Sequence, residues 1–297
     1  MSDLNELKSK FEIPGAVGVE EGNGGLTKVV LTSNGASGEV YLHGATVTHY
    51  QRNGEAPLIF CSTTSPFRTD KAIRGGVPIC FPWFGPNADD PKLAQHGFAR
   101  TSMWNIVGSK GNSDSSVTVI LGLKSSASTQ SLWANEFDAF YSITVGNSLT
   151  LGLSVKNTGS NPFEYQDALH TYFCVSDVRK MQITGLENCE YLDKTDGGSK
   201  KKNDSNPMMI TGETDRVYLN TTSTCIIHDC GQREISVSKS GSSCTVVWNP
   251  WETKAEAMSD LNGGQWTQFI CVETVNAADF VVYLKPGETH ETVAKIK

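Results

Sequence analysis

The stretch IRGGVPICFPWFGPNADDPKLAQHGFARTSMW, Ile73–Trp104, organises the rest of the chain. Its glycines permit backbone conformations that other residues resist, and its prolines fix φ and remove donors, so no regular element fits it. A long irregular segment in a compact domain is usually functional or disordered, and the aromatic content here argues against disorder. The stretch predicts an ordered functional loop, with a rigid corner between two sheets as the alternative. Its polar candidates are Arg74, Gln95, His96 and Arg100, and its aromatic group is Phe81, Trp83 and Phe84, for which we expect packing.

Outside this loop the sequence consists of short runs rich in β-branched and aromatic residues, bounded by Gly, Asn or Pro. No helical pattern reaches three turns, and one short helical turn is expected within residues 1–12. Many short strands separated by turn residues favour a sandwich or barrel over βαβ units. We predict an all-β fold, a large antiparallel β-sandwich. The predicted strands are 28–33, 38–42, 45–50, 57–61, 104–108, 116–123, 139–145, 148–156, 163–166, 170–175, 216–219, 225–228, 234–239, 244–248, 268–274, 280–284 and one after residue 287.

The sequence shows no composition break and no internal repeat. Residues 1–297 are therefore expected to form a single domain, with residues 1–20 as a candidate for a loosely attached N-terminal segment. Gly44 predicts one hairpin turn, and Gly146-Asn147 predicts another of the two-residue primed type. The lysine run within residues 196–207 is flanked by Gly, Ser and Asn, which predicts a solvated loop.

The bulk composition limits the class of protein. Of 297 residues, 38% are hydrophobic and 19% charged, which is ordinary for a soluble globular chain. A net charge of −7 gives no electrostatic footprint for nucleic acid or an anionic membrane, although it leaves a small anionic substrate open. No apolar run approaches membrane length and the N-terminus lacks a signal-peptide core, so a cytoplasmic protein is expected. The eight cysteines predict free, buried thiols, and a monomer is the default expectation.

Common cofactor and catalytic motifs are absent from the sequence. It contains no nucleophile elbow, Walker loop, zinc-protease helix or dinucleotide fingerprint. Cys225 and His228 are three positions apart, so on a strand their side chains would point to opposite faces. No second Cys/His cluster completes a set of four ligands, which argues against a metal site. We therefore expect no cofactor and no metal.

Two ionisable residues outside the loop are candidates for chemistry. His170 begins an aromatic strand pattern, and Glu273 lies among apolar residues of another predicted strand. A carboxylate in such a strand needs a partner or a polar cavity, because an unpaired buried charge is costly. Taken singly, a satisfied core histidine and a structural ion pair explain them as well as catalysis does.

Five ordered blocks of sequence change that balance. They are Arg74–Gly85 (RGGVPICFPWFG), Gln95–Arg100 (QHGFAR), Ala168–Phe173 (ALHTYF), Thr214–Tyr218 (TDRVY) and Val272–Thr274 (VET). In this order the blocks resemble the hexose-6-phosphate mutarotases, also called glucose-6-phosphate 1-epimerases, within the aldose 1-epimerases. The resemblance spans about residues 44–284 and implies a galactose mutarotase-like supersandwich that needs no cofactor. Position by position, it implies His170 as general acid, Glu273 as general base and the substrate-binding residues Arg74, Gln95, His96, Arg100 and Asp215.

These residue types suit the reaction that the resemblance implies, the interconversion of α and β anomers of a small sugar phosphate. Ring opening removes a proton from the C1 hydroxyl and delivers one to the ring oxygen, which an ionised Glu273 and a cationic His170 would do. Guanidinium groups match phosphate oxygens bidentately, so the C6 phosphate is expected between Arg74 and Arg100. Two alternatives remain at this point: a mutarotase of unphosphorylated aldoses, and a non-catalytic carbohydrate-binding module.

Overall fold

The computed structural model describes residues 4–204 and 207–297. Strands predominate, and no helix in these ranges is long and apolar enough to cross a membrane. The helices are α1 (Leu4–Phe11), α2 (Ala127–Gln130) and α3 (Trp251–Glu256), with 3₁₀ turns at Asn23–Gly25, Ala99–Thr101, Lys194–Asp196 and Gln265–Gln268. The strands are β1 (Val17–Glu21), β2 (Thr27–Thr32), β3 (Ala36–Tyr41), β4 (Val47–Arg52), β5 (Ile79–Cys80), β6 (Asn105–Gly111), β7 (Val117–Lys124), β8 (Phe137–Val145), β9 (Leu149–Asn157), β10 (Phe163–Tyr165), β11 (Asp167–Leu169), β12 (Tyr172–Cys174), β13 (Gln182–Thr184), β14 (Glu190–Asp193), β15 (Ser199–Lys202), β16 (Met208–Met209), β17 (Thr214–Tyr218), β18 (Cys225–Asp229), β19 (Arg233–Ser240), β20 (Cys244–Asn249), β21 (Phe269–Asn276), β22 (Val282–Leu284) and β23 (Thr289–Ile296).

Two large antiparallel sheets form the sandwich, which confirms the predicted fold class. One follows the order β16-β13-β18-β19-β23-β9-β8-β7-β6, and the other β15-β14-β17-β20-β21-β11-β5, with β12 also paired to β21. Smaller sheets, β1-β2-β3-β4 and β10-β22, complete the fold. The second large sheet carries the site described below and is called the site sheet.

Along the central strands of the site sheet, successive side chains alternate between two faces. One face packs on the main core, and we call the other the site face. Val247 of β20 lies opposite Val272 of β21, and both belong to the main hydrophobic core. One residue along, Val246 lies opposite Glu273. Because successive side chains of a strand point to opposite faces, Glu273 points away from the main core.

The N-terminal segment contacts the rest of the fold from Leu4 onward. Phe11 of α1 is buried in the main core, with Leu4 and Leu7 packed against it, and the Phe11 carbonyl accepts a hydrogen bond from Ser109 Oγ. Strand β1 then pairs with β2 along its whole length. Residues 1–3 of the predicted segment lie outside the described residues.

Three local predictions need correction. The β8–β9 hairpin has three loop residues, 146–148, because Val145 pairs with Leu149. The lysine run is not a loop, since Ser199–Lys202 form β15 at the edge of the site sheet; positions 205 and 206 of that stretch lie outside the described residues. Residues 57–61 form no continuous strand and make only the isolated bridges Ile59–Phe173 and Cys61–Gly75.

Candidate active site

The loop 73–104 is held in place by a close approach of its two halves. Gly97 has φ of 73°, and a Cβ there would lie 2.0 Å from the Phe81 carbonyl oxygen. The preceding residue, His96, has φ of 65°; its main-chain N–H donates to the Gly85 carbonyl at 2.7 Å, and its Nδ1 accepts from the Gly85 N–H at 3.2 Å. The loop is ordered, as predicted, but includes the two-residue strand β5 and a 3₁₀ turn.

The aromatic residues of the loop have two different roles. Phe81 is buried and packs edge-on against Phe137 and Tyr165, while Trp83 is buried and donates from Nε1 to the Ala94 carbonyl at 3.0 Å. Packing is therefore confirmed for both. Phe84, in contrast, lines a cavity.

This cavity, of about 590 Å³, lies over the site face and is walled on one side by the loop. The residues that the sequence singled out all line it: Arg74, Gln95, His96, Arg100, His170, Asp215 and Glu273. Residues separated by up to 199 positions in the chain are thereby brought to one place. We call this the site cavity.

His170 and Glu273 lie next to each other in the site cavity. His170 connects β11 to β12, both of which pair with β21, and its main-chain N–H donates to the Pro78 carbonyl at 3.0 Å. Its Nδ1 lies 3.4 Å from Glu273 Oε1. Within the described ranges, His170 Nδ1 and Glu273 Oε2 are buried polar atoms without a hydrogen-bond partner. Two proton-carrying groups are therefore placed to exchange protons with a bound molecule.

Aromatic rings fix the orientation of the imidazole. The Tyr172 ring stacks on His170 with centroids 4.9 Å apart and an interplanar angle of 11°. Trp248 and His96 meet the same imidazole edge-on, each with centroids 5.9 Å away. Since these contacts restrict rotation of the ring, the position of the His170 nitrogens is set before any ligand binds.

Burial determines the protonation state of the pair. Desolvation, with smaller contributions from His96, Arg100 and Arg74, holds the pKa of His170 well below its usual range. Desolvation, reinforced by Asp215, raises the pKa of Glu273 well above its usual range. Both shifts oppose the expected pairing of a cationic histidine with an ionised glutamate, because burial disfavours both charges. Both shifts act toward the neutral imidazole and the protonated carboxyl.

His96 is a neutral hydrogen-bond donor in the site cavity. Desolvation and the charges of Arg100 and Arg74 lower its pKa to about 3. Because Nδ1 accepts from the Gly85 N–H, the remaining proton of the neutral ring is on Nε2. His96 can thus donate one hydrogen bond without adding charge.

The two loop arginines have different surroundings. Arg74 lies 3.0 Å from the Asp260 carboxylate and donates to the Tyr172 hydroxyl at 3.1 Å. Arg100 donates to the Gln95 carbonyl at 2.8 Å and has no carboxylate partner among the residues that the structure describes. Arg74 is therefore fixed and partly neutralised, while the Arg100 charge is available to a ligand.

Sequence reasoning missed several residues of the site cavity. Tyr172 lies two positions after His170, and Trp248 lies two positions after Val246. Strand alternation alone therefore predicts that each shares a face with the earlier residue. No sequence signal indicates Lys194, Lys254 or Met258, which reach the cavity from a 3₁₀ turn, from α3 and from the segment after α3.

The described part of the chain contains no group of three His, Cys, Asp or Glu side chains placed to hold a metal ion. All eight cysteines are free, as predicted, although Cys230 is exposed. The chemistry that the cavity offers is proton transfer by His170 and Glu273 and hydrogen bonding by its cationic and polar walls.

Comparisons with known proteins identify the family of this chain. The aldose 1-epimerase family matches residues 27–297. A protein of Cenchrus ciliaris, provisionally named glucose-6-phosphate 1-epimerase, is 35% identical over 89% of this chain and 82% of its own length. A protein of Salmonella typhimurium with the same provisional name is 32% identical over 86% of each chain. The crystal structure of a provisionally named mutarotase from Salmonella typhimurium superposes with a TM-score of 0.89 and 28% identity, covering 98% of this chain and 97% of that one. The chain belongs to the aldose 1-epimerase family and is a sugar isomerase, a mutarotase.

Proposed function

We propose that this mutarotase interconverts the α and β anomers of hexose 6-phosphates, glucose 6-phosphate foremost, with His170 and Glu273 as its catalytic pair. The observation that best supports this proposal is that His170 and Glu273 lie side by side in a cavity lined by cationic residues. Arg74, Arg100, Lys194 and Lys254 line it against Asp215 and Glu273, although the whole chain has a net charge of −7. The names of the relatives add support, since they specify glucose 6-phosphate.

In the proposed reaction the bond between C1 and the ring oxygen O5 breaks. Glu273 takes the proton of the C1 hydroxyl, His170 delivers a proton to O5, and C1 becomes an aldehyde carbon. Rotation about the C1–C2 bond followed by closure on the other face gives the second anomer, with both proton transfers reversed. Proton count is conserved, and no electron is transferred.

Burial favours a neutral His170 and a protonated Glu273, whereas the reaction needs the proton on His170. The protein therefore has to pass from the first arrangement to the second. Both states carry one proton on the pair, so the change is a transfer across 3.4 Å. A sugar that donates its C1 hydroxyl to Glu273 and accepts at O5 from His170 stabilises the charged arrangement, because hydrogen bonds to a charged form favour that form. Binding of the sugar thereby prepares its own acid and base.

The remaining walls would hold the sugar. We propose that the C6 phosphate lies between Arg74 and Arg100, with Arg74 oriented by Asp260 and Tyr172. Gln95, His96 and Asp215 would bind ring hydroxyls, His96 as donor through Nε2. Phe84 and Trp248 offer apolar surface for a sugar face.

The test is exchange between the anomers of glucose 6-phosphate, measured by NMR saturation transfer. We expect acceleration by the native protein and a loss on the order of 10²–10⁴ in Glu273→Gln and His170→Ala, the scale of a positioned acid or base. Folding of each variant is checked by circular dichroism. No acceleration by the native protein would overturn the proposal.

The phosphate assignment has its own test. Arg100→Ala should lower kcat/KM for glucose 6-phosphate much more than for glucose. Arg68→Ala is the matched control, because Arg68 is an exposed arginine paired with Asp70 away from the cavity. Native protein that accelerates both sugars equally, with Arg100→Ala unchanged, would favour a mutarotase of unphosphorylated aldoses.

A further inference from the structure

Lys194 lies on the wall of the site cavity next to Asp215. Strand β14 ends at Asp193, which is paired with Arg216 of the antiparallel strand β17. Because the strands are antiparallel, extending this register by one residue pair places Lys194, which follows β14, beside Asp215. Lys194 lines the cavity and, after Lys254, acts on the Asp215 carboxyl electrostatically.

The carboxylates around Lys194 are neutralised by other lysines. Lys201 lies 2.9 Å from Asp193 and 2.8 Å from Asp196, and Lys254, the other lysine of the cavity, lies 2.8 Å from Glu213. Within residues 4–204 and 207–297, no carboxylate forms an ion pair with Lys194. Its charge therefore acts on Asp215 and on whatever occupies the cavity.

The chemistry of the sugar ring decides which substituents this wall faces. The inference rests on the proposed function, which places C1 between His170 and Glu273. C1 has two ring neighbours: O5, which leads through C5 to the phosphate on C6, and C2. If the phosphate lies at the arginines of the loop beside β5, C2 and its substituent point toward the other side of β21, where β17 carries Asp215 and β14 ends beside Lys194.

We propose that Lys194 is a specificity-determining residue, which selects sugar 6-phosphates with a neutral hydroxyl at C2 over those with a protonated amine. Asp215 alone would attract an ammonium group at this place. Lys194 opposes that attraction because two cations would have to share one carboxylate, whereas a neutral hydroxyl can donate to Asp215 and accept from Lys194. The enzyme thus discriminates against the amino sugar through repulsion between Lys194 and the C2 ammonium group.

The test compares glucose 6-phosphate with glucosamine 6-phosphate, whose C2 carries the amine, at a pH below the pKa of that amine. Anomer exchange of both sugars is measured with the native protein and with Lys194→Met, Lys194→Arg and Lys200→Met. In Lys194→Met we expect the ratio of kcat/KM, amino sugar over glucose 6-phosphate, to rise about tenfold, which corresponds to about 1.4 kcal/mol. Lys194→Arg keeps the charge and should keep the native ratio. Lys200→Met is the matched control, because Lys200 pairs with Glu190 and does not line the site cavity.

The outcomes separate this inference from the proposed function. A ratio that stays within twofold of native in Lys194→Met, while the native protein accelerates glucose 6-phosphate, overturns the role of Lys194 alone. A native protein that accelerates neither sugar overturns the proposed function as well. Since Lys194 is exposed at the cavity rim, folding should not depend on it, and thermal unfolding of each variant verifies this.

Discussion

His170 Nδ1 and Glu273 Oε1 lie 3.4 Å apart in a desolvated pocket, so their titrations are coupled. Burial lowers the pKa of one and raises the pKa of the other. Both shifts widen the pH range over which the pair holds a single proton.

This coupling predicts the pH dependence of turnover. We expect the acid limb of kcat to lie below about 6.5, the ordinary histidine pKa, and the alkaline limb to lie well above the ordinary glutamate pKa. The quantity to measure is kcat for anomer exchange, because kcat/KM also reports the titration of the substrate phosphate near pH 6. An acid limb centred at about 6.5 would contradict the desolvated histidine.

Asp167 presents a second buried titration, in a structural position. Its carboxyl accepts hydrogen bonds from Asn276 Nδ2 at 3.0 Å and Thr292 Oγ1 at 2.7 Å. Burial nevertheless raises its pKa to about 6, from 3.8. Because the folded state holds the proton more tightly than the unfolded chain, this group stabilises the fold as pH falls through about 6, and the gain approaches about 3 kcal/mol only below the ordinary pKa of 3.8.

Asp167→Asn should remove this contribution. The asparagine oxygen can still accept from Asn276, and its amide can donate to Thr292 Oγ1, so the hydrogen bonds are preserved without the charge. We expect the free energy of unfolding of the variant, from urea titrations, to exceed that of the native protein at pH 7.5 and to converge with it near pH 4. A constant difference across this range would show that Asp167 keeps an ordinary pKa in the folded protein.

Among the elements, the loop 73–104 places the largest number of site residues. Its geometry depends on the passage of Gly97 over the Phe81 carbonyl, directly between His96 and the 3₁₀ turn that carries Arg100. A side chain at this point would separate the two halves of the loop.

Gly97→Ala tests this dependence. We expect it to destabilise the protein by about 4 kcal/mol or more, since it combines a clash with backbone and a positive φ, and to abolish anomer exchange. Gly85→Ala is the matched control: φ is 75° there, but nothing lies within 4 Å of the added Cβ, so only the conformational cost of about 1–2 kcal/mol applies. Equal destabilisation of the two variants, measured by urea unfolding, would show that φ and not the close approach matters.

The sequence predicts strands well where alternation is strong and poorly where tertiary pairing decides. Strands such as β8 and β9 bury every second residue, and their positions were predicted within two residues. Lysines 200–202 lack any apolar face and form a strand only because β14 offers an edge to pair with. Lysines on an edge strand also discourage pairing with other chains.

The candidate site shows the same division. His170, Glu273 and the loop residues lie in blocks that the resemblance identifies, and the structure brings them to one cavity. The protonation of the pair and the position of Lys194 depend on burial and on strand register across β14 and β17, which no local pattern encodes.

At the scale of the whole molecule, charge is distributed unevenly. A chain of net charge −7 concentrates four cationic side chains around one cavity. A local field of this kind attracts small anions although the protein as a whole repels them, and its effect falls with ionic strength. Under the proposed function, this separation of local from net charge would let an acidic protein bind an acidic substrate.

We propose that residues 1–297 fold as one domain. The main core includes Phe11 near the beginning of the chain and Ile296 near its end. The last strand, β23, pairs with β19 on one side and β9 on the other, so the chain end lies within the nine-stranded sheet and not at its edge. Neither sheet can therefore lose its partner without exposing core residues of the other.

Such a structure should unfold in one cooperative step. We expect tryptophan fluorescence and far-ultraviolet circular dichroism to give coincident urea transitions. Leu151→Ala sharpens the test, because Leu151 is fully buried on β9, outside the site sheet, and its truncation should cost about 2–5 kcal/mol. If the molecule is one unit, this change lowers the urea midpoints of the fluorescence and circular dichroism transitions by the same amount. Two separated transitions, or a shift confined to one of them, would mean that the two large sheets unfold independently.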